Sequence, residues 1–204
     1  MSRFRKETAS FNDYYEMMID TVRNSAYARA IRQVVRPGDV VIDLGAGPGL
    51  LSCLAAQAGA KKVYAVEQSD SAWLGRAVVE ANGLDDIVEF VQMSSFDFEL
   101  EEKADVIVSE TLGSFAVDEN TLRFTIDARD RLLAEGGTLL PRRVKMLVTP
   151  VFAPERCEMT KFWRDVEGID FRVAVAKSEA RMSLASIARS QLLAEPQVYA
   201  DIDL

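Results

Sequence analysis

Two acids define the chemistry this chain is equipped for. Glu110 and Glu119 bracket a run of small and apolar residues, Leu112-Gly113-Ser114-Phe115-Ala116-Val117. A loop that leaves and rejoins one sheet edge would turn both carboxylates toward one pocket, where each raises the other's pKa unless a cation lies between them. A planar cation with several N–H donors is the natural occupant. Glu119 has a competing structural role, because Asp118-Glu119-Asn120 opens a predicted helix and negative charge suits a helix start. A third acid, Glu67, closes the predicted strand Lys62-Val63-Tyr64-Ala65-Val66-Glu67. There it is placed to accept two hydroxyl protons from a ribose, a bidentate contact that also repels a 2′-phosphate. Taken by itself it also reads as an exposed charge at a strand end.

The stretch Val40-Val41-Ile42-Asp43-Leu44-Gly45-Ala46-Gly47-Pro48-Gly49 precedes that acid. Its apolar run predicts a strand buried on both faces, ending in a tight turn that opens a helix over Leu50 to Ala58. A dinucleotide-binding turn would place its third glycine at position 50, where Leu50 stands, and no Lys follows as in a phosphate-cradling loop. Pro48 removes an amide donor. The turn therefore suits a nucleoside with a small zwitterionic tail in place of a pyrophosphate.

These residues need a scaffold, and the rest of the chain predicts one. Residues 1–10 are charged and polar, an expected mobile tail. Tyr14, Met17, Met18, Val22, Tyr27, Ile31 and Val34 recur at helical spacing, predicting two amphipathic helices over Phe11 to Val35 with a break near Asn24-Ser25. They would pack on the sheet edge or close over the glycine turn, with Arg23 available to a ligand carboxylate. A helix over Ser71 to Asn82 stops at Asn82-Gly83. A strand follows at Ile87 to Val91, then the loop Met93-Ser94-Ser95-Phe96-Asp97, which lies at the glycines' edge and could recognise an adenine. Asp97 serves equally as a surface acid. A buried strand over Ala104 to Ser109 leads into Glu110, and a helix runs on to about Leu133. The alternation predicts an α/β fold with a doubly wound, mostly parallel, Rossmann-like sheet. N-terminal helices would occupy 1–36, the ligand-binding sheet 37–141, and a β-rich region 142–204.

Composition removes several function classes. With 204 residues and 49% apolar content the chain can bury a sizeable core. Its formal net charge of −8, from 32 acidic and 24 basic residues, disfavours nucleic acid and mildly favours cationic partners. It has no histidine, which excludes Ser-His and Cys-His catalysis and argues against a zinc site. Cys53 and Cys157 are isolated thiols without metal-ligand spacing. Without an apolar run of membrane length or a signal-peptide pattern, a cytoplasmic location with no membrane partner is expected.

Several stretches together resemble the protein arginine methyltransferases, which are class I S-adenosyl-L-methionine (SAM) enzymes. They are Tyr15-Glu16-Met17-Met18-Ile19-Asp20-Thr21-Val22-Arg23, the glycine turn, Ala58-Gly59-Ala60-Lys61-Lys62 through Glu67, Ser109-Glu110 with Glu119, and Ala128-Arg129-Asp130 before Gly136-Gly137-Thr138-Leu139-Leu140-Pro141. The resemblance covers about residues 11–141. It implies SAM as cofactor and S-adenosyl-L-homocysteine as product, with Arg23 on the SAM carboxylate and Met17 beside the sulfonium. It implies that Gly45, Gly47 and Gly49 underlie the methionine moiety, supported by Asp43, that Glu67 binds the ribose, and that Ser95 and Phe96 contact adenine. Glu110 and Glu119 would grip a guanidinium and act as the catalytic pair. The acceptor would be a nitrogen nucleophile of a protein, or alternatively a small molecule or another protein side chain; a SAM-binding protein without turnover is the other class.

The departures lie downstream. The family continues into a β-barrel with a dimerisation arm and a Thr-His-Trp-type loop, which a chain lacking histidine cannot carry in its usual form. Here strands are expected from Val144 to Phe152, over Phe171-Arg172-Val173-Ala174-Val175 and over Gln197 to Leu204, with a short helix over Cys157 to Trp163. The chain is then either a piece of a longer protein or a short relative with an open substrate site. Exposed edges of an unfinished sheet would suit a homodimer.

Overall fold

In the computed structural model, residues 11–113, 115, 120–174 and 185–204 are described. Glu119 and residues 116–118 before it lie outside them, as do the expected tail 1–10 and Val175. The chain divides into two compact units, one reaching Val144 and including Asp203–Leu204, the other Lys145–Ile202.

In the first unit, β1 (Val40–Leu44) is the middle strand of five, with β2 (Lys62–Val66) and β3 (Val88–Val91) to one side and β4 (Ala104–Ser109) and β5 (Leu133–Leu140) to the other. All four pairings are parallel, and Ile42 stands level with Tyr64 on one neighbour and Ile107 on the other. A central parallel strand has helices over both faces, so it reads as a near-continuous apolar run; Val41 and Ile42 are fully buried, Leu44 nearly so, and Asp43 is the one buried acid among them. The chain builds outward from β1 through β2 to β3, then returns to β1's other side for β4. That reversal leaves a crevice beyond the carboxyl ends of β1 and β4, where open α/β sheets bind ligands.

The helices are α1 (Phe11–Ile19), α2 (Thr21–Val34), α3 (Leu50–Gln57), α4 (Ala72–Ala81) and α5 (Thr121–Leu132). The break in the N-terminal pair falls at Asp20, not near Asn24-Ser25. Asp20 caps α2 by accepting from the Arg23 N–H at 3.0 Å. Asn24 stays helical because its side chain has other work: its amide donates to the carbonyls of Met17 (3.1 Å) and Met18 (2.9 Å) at the end of α1. The alternation predicted four strands and the sheet has a fifth. β5 follows α5 without a connecting residue, and the Gly136-Gly137 pair interrupts the apolar run that would mark a strand. The β4–β5 register shifts between Ala104 and Val106, and that irregularity absorbs the glycines.

In the second unit, α6 (Pro154–Phe162) follows an isolated bridge from Val151 to Leu192. The Phe152 N–H donates to the Gln191 carbonyl at 2.8 Å, and the Leu193 N–H to the Pro150 carbonyl at 3.0 Å. Most of β6 (Arg143–Val148) and β7 (Gln197–Asp203) also falls in this unit, from Lys145 and up to Ile202; the two strands form a two-stranded sheet, and the described residues show no closed barrel. The strand expected over Phe171–Val175 is not found: residues 172–174 are helical. Asp170 explains the difference, since its carboxylate accepts from the Arg172 N–H at 2.8 Å and turns the backbone before a ladder can start.

One contact in the first unit fixes how close α4 lies to the sheet. A Cβ on Gly75 would collide with the Phe90 ring of β3. Gly75→Ala gains roughly 1 kcal/mol of helix propensity but is expected to lose about 1–3 kcal/mol net through overpacking. Urea unfolding checks this, and the loss should shrink sharply in a Phe90→Leu background, where the two sites are coupled.

Candidate functional site

The turn after β1 is bound to the tip of β2. The Val66 carbonyl accepts from the N–H groups of Gly45 (2.9 Å) and Ala46 (3.2 Å). Next, the Gly47 N–H donates to Glu67 Oε2 at 2.9 Å, while Glu67 Oε1 accepts from the Ser69 N–H at 2.7 Å. Glu67 lies just past β2 and is 8% exposed, so the bland reading of a solvated strand-end charge does not describe it. Two backbone donors hold one lone pair on each oxygen, and the remaining lone pairs are free for hydroxyl groups. Gly45 has φ +71°, and a Cβ there would come within 2.7 Å of Thr111 Cγ2. Gly49, at φ +86°, caps the start of α3 and faces the Phe90 ring.

Asp43 lies beneath this turn, fully buried, with Oδ2 accepting from Ser52 Oγ at 2.6 Å. Its carboxylate thus ties β1 to the first turn of α3. Burial, against the opposing Ser52 hydrogen bond, pushes its pKa from 3.8 up to about 7.

Across the crevice, Arg23 Nη1 donates to Glu110 Oε2 at 2.6 Å, each side chain being about a quarter exposed (24% and 23%). Arg23 Nη2 donates to the Met17 carbonyl at 2.6 Å. The sequence alone assigned Arg23 and Glu110 to different ligand groups; the structure joins them. Beneath them the Tyr27 hydroxyl donates to the Ser109 carbonyl at 3.0 Å. Burial first, then the Glu110 charge, raises the phenol well above its ordinary value. The third wall is the loop after β3. Ser95 and Phe96 face the same space, and the Phe96 ring carries the Arg123 guanidinium 4.9 Å from its centroid.

Met17, Arg23, Asp43, Gly45, Gly47, Glu67, Ser95, Phe96 and Glu110 all line one open cavity of about 880 Å³. Gly49 does not, serving α3 instead, and Glu119 lies outside the described residues. Tyr14 and Tyr27 also reach the cavity, though their helical spacing read as packing. Their signal was chemical: two phenols on the face that carries Met17 and Arg23. Among the described residues no group of His, Cys, Asp and Glu side chains could hold a metal.

A family model described as ribosomal protein L11 methyltransferase (PrmA) matches residues 26–139. The chain is 41% identical over 195 residues to a probable protein arginine N-methyltransferase 6 of Arabidopsis thaliana, covering 92% of this chain and 45% of that protein. It is 33% identical over 198 residues to protein arginine N-methyltransferase 1 of Oryza sativa subsp. indica, covering 95% and 51%. It therefore spans about half the length of these curated relatives. Two solved structures are similar. One is the Trypanosoma brucei PRMT1 enzyme-prozyme heterotetrameric complex with AdoHcy, at TM-score 0.88 and 30% identity, covering 95% of this chain and 62% of that one. The other is Arabidopsis thaliana protein arginine methyltransferase 10 in an open conformation, at TM-score 0.79 and 31% identity, with coverage of 95% and 62%.

Asp43 makes stability pH-dependent. Between pH 3.8 and about 7 the folded chain keeps a proton that the unfolded chain releases, so this group's contribution falls as pH rises, by on the order of 1 kcal/mol per pH unit. Asp43→Asn preserves an acceptor for Ser52 and removes the titration. Urea unfolding at pH 5 and pH 8 should show the variant gaining on the wild type at the higher pH.

Proposed function

Because the chain belongs to the methyltransferase family represented by the ribosomal protein L11 methyltransferase (PrmA) model and is protein arginine methyltransferase-like, we propose that its cavity binds SAM. The protein of which it is at least part would transfer the methyl group to a nitrogen of a protein substrate, leaving S-adenosyl-L-homocysteine. The observation that carries this reading is Glu67, held on both oxygens by the Gly47 and Ser69 N–H groups at the edge of the glycine turn. A carboxylate fixed in that way, with outward lone pairs free, fits a ribose diol. The donor set elsewhere also fits. Arg23 commits donors to Glu110, to the Met17 carbonyl and, at 3.4 Å, to Asn24 Oδ1, and a guanidinium has five, so donors remain for a ligand carboxylate. The cavity of about 880 Å³ falls within the roughly 300–1,000 Å³ common for small-molecule sites.

When bound, SAM supplies a methyl on a sulfonium, an electrophile whose charge is neutralised as the methyl leaves. The chain's task is then chiefly positioning. Glu67 and the turn hold the nucleoside, Arg23 fixes the opposite end, and together they set one orientation relative to Glu110; positioning of this kind can supply several kcal/mol of a barrier. Glu110 holds the acceptor guanidinium, draws its positive charge away from the attacking nitrogen and is placed to take up the proton released. Glu119 is assigned the second carboxylate of that grip. Support comes from its position in the sequence after Glu110 and from the relatives named as arginine methyltransferases.

Assembly and location extend the same reading. The T. brucei relative is described within an enzyme-prozyme heterotetrameric complex, which supports assembly in general; a homodimer is the finer proposal for this chain, and Leu147, Val198 and Tyr199, exposed on the β6–β7 sheet, are apolar side chains it would cover. No helix among the described residues is long and apolar enough to cross a membrane; a cytoplasmic location is part of the proposal and rests on the sequence reading alone.

Incubation with radiolabelled SAM and arginine-rich peptides tests the assignment. Label should enter the peptide, and SAM binding with no labelled acceptor would leave a binding protein without turnover. Glu110→Gln should lower transfer on the order of a hundredfold while SAM affinity, read by calorimetry, stays within a few fold. Glu67→Ala should show the opposite pattern, with SAM affinity down about tenfold or more for the loss of charge-assisted hydrogen bonds to the diol.

A further inference from the structure

Arg131 lies on the last turn of α5, outside the lining of the cavity described above, yet it is bonded to the candidate adenine loop and to the residue just beyond it. Its Nη1 donates to the Phe98 carbonyl at 2.6 Å and its Nη2 to the Ser95 carbonyl at 2.9 Å. The same guanidinium is aimed by Asp127 one turn back, whose Oδ2 accepts from Nη2 at 2.8 Å and from Nε at 3.3 Å. One planar cation therefore spans two carbonyls of a four-residue segment and is itself held in plane by a carboxylate. The Phe98 ring is buried and packs against Tyr64 of β2 at 5.7 Å between centroids. Phe96, between the two clamped carbonyls, is left 40% exposed with its ring in the cavity lining. The other cation on that loop, Arg123 over Phe96, also comes from α5.

We infer that Arg131 is a positioning residue for the adenine subsite: by clamping the Ser95 and Phe98 carbonyls it fixes the backbone and the Phe96 ring that read the nucleobase. This rests on the SAM reading above. The mechanism is geometric. A base is recognised by backbone groups and a ring face only if both are held before it arrives, since ordering a loop on binding subtracts from affinity. A lysine cannot replace the arginine here, because its compact ammonium on a flexible stem cannot span both carbonyls and the carboxylate in one plane. The clamp sits behind the loop, so the reacting end of the site, around Arg23 and Glu110, is untouched by it.

The test compares two ligands that differ only in the base. S-adenosyl-L-homocysteine and its inosine counterpart, S-inosyl-L-homocysteine, are titrated calorimetrically into the wild-type chain, Arg131→Met, Arg131→Lys and the control Arg129→Lys, whose parent side chain pairs with exposed Asp130. The wild type should prefer the adenine ligand. In Arg131→Met that ligand should bind about tenfold more weakly, as expected for losing a bridging charged donor, and the preference over the inosine ligand should collapse. Arg131→Lys should fall between, and Arg129→Lys should match the wild type. A variant that is merely less stable would lower both affinities and keep their ratio, so a preserved ratio in Arg131→Met overturns the inference. A wild type that binds the adenine ligand without preference over inosine overturns it too, leaving the cofactor reading standing. A wild type that binds neither ligand overturns the cofactor reading itself.

Discussion

The hydrogen bond from the Gly47 N–H to Glu67 joins two elements that could otherwise be set independently: a turn after the central strand and the tip of its neighbour. A turn rich in glycine is conformationally loose and needs external partners to hold one shape. Here the partners all come from β2 and its extension, since Val66 accepts from Gly45 and Ala46, and Glu67 accepts from Gly47. The acid that would hold a sugar is thus also the brace for the turn beneath the rest of the ligand. Neither can move without the other, and the parallel β1–β2 register, which brings Leu44 level with Val66, sets the distance between them.

The opposite wall works by charge. Glu110 ends the β4 side of the crevice with an arginine from α2 against it, and α2 is in turn bound to the end of α1 through Asn24. The N-terminal helices are therefore part of the site and more than a cover for the sheet edge. An ion pair with each partner about a quarter exposed is worth little as stabilisation. Its value is orientation, since a carboxylate already facing a guanidinium has its lone pairs aligned for a second one.

Much of this was legible in the residues, because period and punctuation carry the physics of a parallel sheet. β1, β2 and β4 announced themselves as short apolar runs ending at glycine or acid, and Glu67 and Glu110 followed from their places at strand ends. The arginine methyltransferase resemblance then agreed with relatives 41% and 33% identical to the chain. What stayed hidden were pairings that no local pattern encodes. The Arg23–Glu110 contact links residues 87 positions apart, and the Arg131 clamp 33 and 36. Local competition hid the rest. A diglycine disguised β5, and an Asp170 turn displaced the expected strand at Phe171.

The direct passage from Leu132 of α5 to Leu133 of β5 has a mechanical meaning. With no slack at that joint, the helix is built into the sheet like a beam set in a wall, and its other end is tied as well, by the Thr121 hydroxyl to the Thr111 carbonyl. A beam held at both ends cannot swing, so Arg131 at the rooted end keeps its place against the Ser95 and Phe98 carbonyls. One residue inserted at the root would shift the whole helix against the sheet and pull Arg131 away from both carbonyls at once.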